Sequence, residues 1–79
     1  MTKIPQIGGK ELVCFLEKIG FSIIRTKGSH VRLKSHDGRY TTIPIHSNKE
    51  LPKGLIRKII KEDLEMELEE FIELYYSKK

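Results

Sequence analysis

A single cysteine, Cys14, is all that the 79-residue chain offers to sulfur chemistry, so no internal disulfide can staple it. Cys14 falls inside an apolar helical pattern and reads as a small helix residue without chemistry of its own. No apolar run approaches the ~20 residues that a spanning helix needs. The opening Met1-Thr2-Lys3-Ile4-Pro5 has no apolar stretch of the signal-peptide kind. The three histidines, His30, His36 and His46, are dispersed and no cysteine pair joins them, so neither a metal nor any small-molecule cofactor is expected. Also missing are a phosphate-binding glycine loop, a Gly-x-Ser-x-Gly turn, and a carboxylate pair spaced for acid–base work. No helix-turn-helix signature precedes the apolar stripe at Leu55–Ile60. These absences point away from membranes and toward a reducing, cytoplasmic setting.

Acidic residues are scarce over most of the chain. Residues 1–61 hold 13 Lys and Arg against 4 Asp and Glu, a net +9. Residues 62–79 reverse this, with 7 Asp and Glu against 2 Lys, a net −5, leaving +4 for the whole. A body of that charge attracts polyanions, and nucleic acid is the commonest one in the cytosol. The acidic segment 62–79 reads more simply, as the solvated face of a helix. The length fits one domain over residues 1–79, with no repeat and no Pro/Gly/Ser-rich linker. Such a chain buries only about 60% of its unfolded surface, so an active site belongs on an open face rather than in a deep cleft.

Residues 1–8 read as an irregular lead-in ending in Gly8-Gly9. Leu12, Phe15, Leu16 and Ile19 then recur at the spacing of one helical face, and Gly20 follows where a left-handed cap would close it, with Phe21 reaching back toward Leu16. Phe21 to Thr26 is β-branched and aromatic, which predicts a strand. Lys27-Gly28-Ser29 is a turn, and from His30 to Lys34 the alternation is strict. Asp37-Gly38 signals a hairpin into a third strand, Tyr40 to Ile45, whose Pro44 suits an edge strand or its end. Leu55, Ile56, Ile59 and Ile60 line a second helix, and Leu64, Leu68, Phe71, Ile72 and Tyr75 continue at helical spacing, either in the same helix or in another. The expected fold is α+β, α-β-β-β-α, with a three-stranded antiparallel sheet packed on helices and its other face free.

That free face carries the functional signal. If Val31 and Leu33 point toward the helices, His30, Arg32 and Lys34 point to solvent, with Lys27, Gly28 and Ser29 at the turn before them. Gly28 lets the backbone come close to a phosphate. An imidazole beside cations can move the proton of a 2′-hydroxyl while the cations stabilise phosphate charge. A histidine at a strand start is also, by itself, an ordinary solvated residue. His36, beside the turn, reads that way, and His46, after the third strand, either does the same or supports the site.

Four blocks now carry a resemblance: Gly20-Phe21, then Lys27-Gly28-Ser29-His30-Val31-Arg32, then Ile43-Pro44-Ile45-His46, then Leu51-Pro52-Lys53-Gly54-Leu55-Ile56-Arg57-Lys58-Ile59-Ile60. Over about residues 11–71 their order and spacing resemble the HicA family, also described as YcfA-like, of type II toxin–antitoxin systems. The resemblance implies a fold similar to double-stranded RNA-binding domains and a metal-independent endoribonuclease that cleaves mRNA as a toxin. It places the catalytic histidine on His30, and it implies a HicB-like antitoxin as partner. Lys27, Gly28, Ser29, Arg32 and Lys34 are the expected RNA-binding set. His46, Ser29 and Tyr40 are the candidates for a second proton-transfer group. The chain departs from the family pattern at Glu65-Met66-Glu67, where the family usually has Gly followed by Ser or Thr. The alternatives are a non-catalytic RNA-binding or antitoxin-binding module of the same fold, or a protein-interaction module whose basic face meets an acidic partner.

Overall fold

The amphipathic pattern at the start of the chain becomes helix α1, Gly9–Lys18, with Leu12, Val13, Phe15 and Leu16 buried. The computed structural model describes residues 4–45 and 49–78. At the N-terminus of α1 the Glu11 Oε1 accepts a hydrogen bond from the Gly8 N–H at 3.0 Å, satisfying one of the donors a helix start leaves over. At the other end Gly20 adopts φ +111°, the left-handed cap that its position predicts. Gly9 is buried for a different reason. A Cβ built there would lie 2.5 Å from the Pro44 carbonyl oxygen, so only glycine lets α1 start against the backbone that follows the third strand. Cys14 is exposed on α1, away from the core.

The segment before α1 has no regular structure, yet it is fastened. Ile4 and Ile7 are core residues. Gly8 forms an isolated bridge with Glu50, and the Leu51 N–H donates to the Ile7 carbonyl at 2.8 Å. The lead-in is therefore part of the packed body, which local sequence could not show because its partners lie more than 40 residues away.

Three antiparallel strands follow in meander order, β1 (Phe21–Lys27), β2 (His30–Ser35) and β3 (Tyr40–Pro44). β3 is an edge strand and stops at Pro44, one residue before the expected Ile45, as a residue without an N–H donor dictates. On β2, Val31, Leu33 and Ser35 are buried and His30, Arg32 and Lys34 exposed, so the alternation in the sequence is the alternation in the sheet.

The second helix is short. α2 runs Lys53–Lys58 and passes into a π-helical turn, Ile59–Asp63, that buries Ile59 and Ile60. The chain then breaks at Glu65, which takes φ +53°, while the Met66 N–H reaches back to the Ile60 carbonyl at 3.0 Å. The tail is thus a separate helix, α3 (Leu68–Lys78), folded back on α1. Phe71 and Tyr75 pack edge-on against Phe15 at centroid distances of 5.2 and 5.4 Å. Glu69, Glu70 and Glu73 stay on the exposed side, which accounts for the acidic end of the chain.

Glu65 occupies the position where the resemblance expects glycine, and the left-handed turn is made regardless. A residue with a Cβ loses roughly 1–2 kcal/mol there, partly offset by the greater freedom glycine has when unfolded. Glu65→Gly is therefore expected to stabilise the protein by about 0.5–1 kcal/mol, raising the thermal midpoint by a few degrees. A midpoint that stays put or falls in a thermal melt would contradict the strain assigned to this turn.

Candidate nucleic-acid interface

The open face of the sheet is built by register. Residues directly opposite one another in antiparallel strands share a face. Pairing along β2 and β3 sets His30 beside Pro44, Arg32 beside Thr42 and Lys34 beside Tyr40. On the other side, Lys27 faces His30 and Arg25 faces Arg32. Between Ile23 and Arg25 the register shifts, so Ile24 is an extra residue in β1. A one-residue insertion transfers everything after it to the other face. Uninterrupted alternation from the buried Phe21 would have turned Arg25 and Lys27 toward the helices. The bulge turns them outward instead, and Ile23 and Ile24 remain 44% and 50% exposed at the distorted edge.

Four cations consequently share the open face with His30: Arg25, Lys27 and Arg32 around it, and Lys34 further along β2. Like charges placed opposite one another across a sheet destabilise it, yet Arg25 and Arg32 are direct partners. Among the described residues the ion pairs are Arg39–Asp37 and Lys61–Glu67, and neither involves this face. Unopposed charge of one sign on a flat surface is what a polyanion neutralises. Arg25, Lys27, His30, Arg32 and Thr42 line a shallow hollow of about 210 Å³, open to solvent.

The turn that introduces His30 is tightly specified. Gly28 has φ +58°, and Gly28 and Ser29 are the two-residue loop joining Lys27 to its partner His30. A two-residue loop with glycine left-handed at its first position continues the twist of its strands. A Cβ on Gly28 would touch nothing within 4 Å, so the backbone there faces open space and can be approached. The Ser29 carbonyl accepts the Ile45 N–H at 2.6 Å, which ties the turn to the chain leaving β3.

The far end of the same strands is clamped by polar contacts. The Ser35 hydroxyl donates to Asp37, the Arg39 Nε donates to the same carboxylate at 2.9 Å, and the Arg39 Nη1 donates to the Leu64 carbonyl at 2.6 Å. The Ser35 hydrogen bond first, and Arg39 second, hold the Asp37 carboxyl at about 2, well below the usual carboxylate range. Since that value is lowered on folding, the contribution is present above the ordinary carboxylate pKa and is lost as the pH falls toward about 2. The Thr41 hydroxyl donates to Asp63 Oδ2 at 2.9 Å and fastens β3 to the π-helical turn. The open face is therefore carried on a sheet pinned at both ends, which suits a site that must hold geometry.

Of the residues expected from sequence, Lys27, Gly28, Ser29, His30, Arg32 and Lys34 lie together on this face or at its turn. His46 lies outside the described residues. Of the other two candidates for a second proton-transfer group, Ser29 adjoins His30, whereas Tyr40 does not. Tyr40 pairs with Lys34, four residues along β2 from His30, a separation of ~13 Å at the rise of a strand. Arg25 was not anticipated, because no glycine or proline marks the bulge that exposes it. Tyr40 has a different neighbourhood: the Arg32 guanidinium lies 4.9 Å and the Lys34 ammonium 5.4 Å from its ring centroid. Among the described residues no three His, Cys, Asp or Glu side chains gather as a metal would require, and no helix is long and apolar enough to cross a membrane.

Compared with known families, the chain matches a family model described as the HicA toxin of bacterial toxin–antitoxin systems, over residues 9–63. The match runs from the start of α1 to the end of the π-helical turn, stopping just before the left-handed Glu65. No curated protein matches the sequence.

Proposed function

Because the chain belongs to the HicA toxin family of bacterial toxin–antitoxin systems, we propose that it is an endoribonuclease that cuts messenger RNA in the cytoplasm, with His30 moving the proton. The observation that carries this reading is the exposed His30 in a hollow walled by Arg25, Lys27 and Arg32, with Lys34 two residues further along the strand. In the proposed reaction His30 takes the proton of a 2′-hydroxyl, and O2′ attacks the adjacent phosphorus. The bond from phosphorus to O5′ breaks, and O5′ takes up a proton from the His30 imidazolium or from water. The products are a 2′,3′-cyclic phosphate and a 5′-hydroxyl end. Negative charge on the phosphate oxygens increases during the attack, and cations already fixed on a pinned sheet stabilise it without reorganising. The proposed reaction draws on these side chains and on no metal.

A toxin of this kind has an antitoxin as its partner, and a HicB-like protein is the one proposed. The open basic face is the surface whose masking would silence the toxin. The direct test incubates the purified protein with a long single-stranded RNA in excess chelator. Cutting that yields cyclic-phosphate ends and spares DNA is the expected result. RNA that is bound but never cut would reduce the protein to a binding module, and RNA that is not bound would remove the reading altogether.

A further inference from the structure

The hollow around His30 has a neighbour that shares Arg32 and Thr42 with it and reaches round the border of the open face. This second hollow, of about 280 Å³, lies at the free edge of β3 and is lined by Arg32, Tyr40, Thr41, Thr42 and Asp63. To the shared Arg32 and Thr42 it adds an aromatic ring, the Thr41 hydroxyl from the buried side of β3 and a carboxylate, where the first adds Arg25, Lys27 and His30. We propose that this hollow is a nucleobase subsite that takes one unpaired, amino-bearing base of the RNA. The proposal rests on the reading that this face binds RNA, and it extends that reading to the kind of RNA and the base preferred.

Tyr40 supplies the platform. Tyr40, the first residue of the edge strand β3, is 43% exposed. The Arg32 and Lys34 cations at 4.9 and 5.4 Å from its centroid draw on the negative charge of the ring face and hold it in place. Bases stack readily on tyrosine rings and on guanidinium planes, and a sheet that carries such groups is a common way to hold single-stranded RNA. A base inside a duplex is stacked on its neighbours and cannot lay its ring on Tyr40. The subsite therefore selects single strands.

Asp63 supplies the edge reading. One of its oxygens, Oδ2, accepts the Thr41 hydroxyl at 2.9 Å, which fixes the carboxylate at the rim of the hollow. A carboxylate oxygen has two lone pairs and donates nothing when ionised, so the base must bring the hydrogens. Adenine, cytosine and guanine each carry an exocyclic amino group. Uracil offers one ring N–H between two carbonyl oxygens, which the carboxylate repels. The ~13 Å between the Tyr40 and His30 rows, at the rise of a strand, assigns the subsite to a nucleotide neighbouring the cut rather than to the one being cut.

The test measures binding with the His30→Ala protein, so that no substrate is consumed, to labelled oligoadenylate, oligocytidylate and oligouridylate and to a duplex RNA of matched length. Adding Tyr40→Ala is expected to weaken the single-stranded adenylate and cytidylate complexes roughly ten- to hundred-fold, which is the usual value of a base–aromatic stack. Tyr40→Phe keeps the ring and the affinity, and duplex binding stays as it was. Asp63→Asn retains an acceptor for Thr41 yet can also donate, so the preference for adenylate and cytidylate over uridylate shrinks. Single-strand affinity that is indifferent to Tyr40→Ala, or a loss equal on single strand and duplex, overturns the subsite and leaves the RNA-binding face standing. Failure of the His30→Ala parent to bind any RNA overturns the reading underneath and the subsite with it.

Discussion

The His30→Ala protein is expected to fold as stably as the parent, to bind RNA almost as well, and to cut it ~10²–10⁴-fold more slowly, the usual cost of losing a proton-transfer group. The three parts of that expectation come from separate features. His30 is exposed at the first position of β2 and is not part of the core, so truncating it opens no cavity. In the proposed reading affinity comes from the cations Arg25, Lys27, Arg32 and Lys34, so it should survive loss of the imidazole. Rate alone requires a group that exchanges protons at the 2′-hydroxyl. Replacing that hydroxyl by hydrogen at a mapped cut site should abolish cutting there in the parent as well. Single-turnover cleavage alongside a thermal melt and a binding titration separates these effects. A well-folded His30→Ala protein that cuts at the parental rate would refute the mechanism.

RNA affinity should fall steeply with salt, and half of that steepness should vanish when Arg25 and Arg32 are both reversed to Glu. If the four cations each neutralise one phosphate of a single strand, the logarithmic slope is about −2.8, which costs roughly fifty-fold between 50 and 200 mM salt. Reversing two of them leaves a slope near −1.4 and a weaker complex at every salt concentration on any RNA sequence. Reversal of Glu70 and Glu73, which lie on α3 and away from the sheet, should leave the slope unchanged. The single change Arg25→Glu adds a second signature. It replaces a facing Arg–Arg pair by Glu–Arg, so the protein should become more stable, by about 0.2–1 kcal/mol, as it becomes a poorer RNA binder. Affinity and stability that fall together would show that Arg25 is merely structural.

Opposite movement of stability and affinity is what a binding surface held against its own repulsion predicts. It also explains why the described part of the chain spends so few carboxylates near the sheet. Asp37, which is close in sequence, is engaged by Ser35 and Arg39 at the far turn, and Asp63 by Thr41 at the β3 edge. Of the remaining acidic residues of the C-terminal segment, Glu62 lies in the π-helical turn, Glu65 and Glu67 precede α3, and Glu69, Glu70 and Glu73 lie on it.

Much of this was determined by the sequence alone. The helical spacing of Leu12, Phe15 and Leu16 fixes α1, Gly20 fixes its cap, and the alternation from His30 to Lys34 fixes which face of β2 is wet. These features are local, since each depends on residues within one or two turns of itself, and local periodicity and steric preference are enough to specify them. The order of the Gly-Ser-His, Pro-x-His and Gly-Leu-x-Arg blocks likewise pointed to the family that the match over residues 9–63 bears out. Tertiary structure decided the rest, and in each case the reason is a partner distant in sequence or a change of register. The bulge at Ile24 is set by how β1 pairs with β2, and it moves Arg25 and Lys27 to the open face. The lead-in that buries Ile4 and Ile7 is fastened by residues 50 and 51, more than 40 positions away. The tail becomes a separate helix because Glu65 turns left-handed, and the return of that helix places Phe71 and Tyr75 on Phe15. The hollow beside Tyr40 exists only because Asp63, 23 residues further along, is fastened to the neighbouring Thr41. Pairing across strands and packing between helices are long-range choices, and no periodicity within a single segment encodes them.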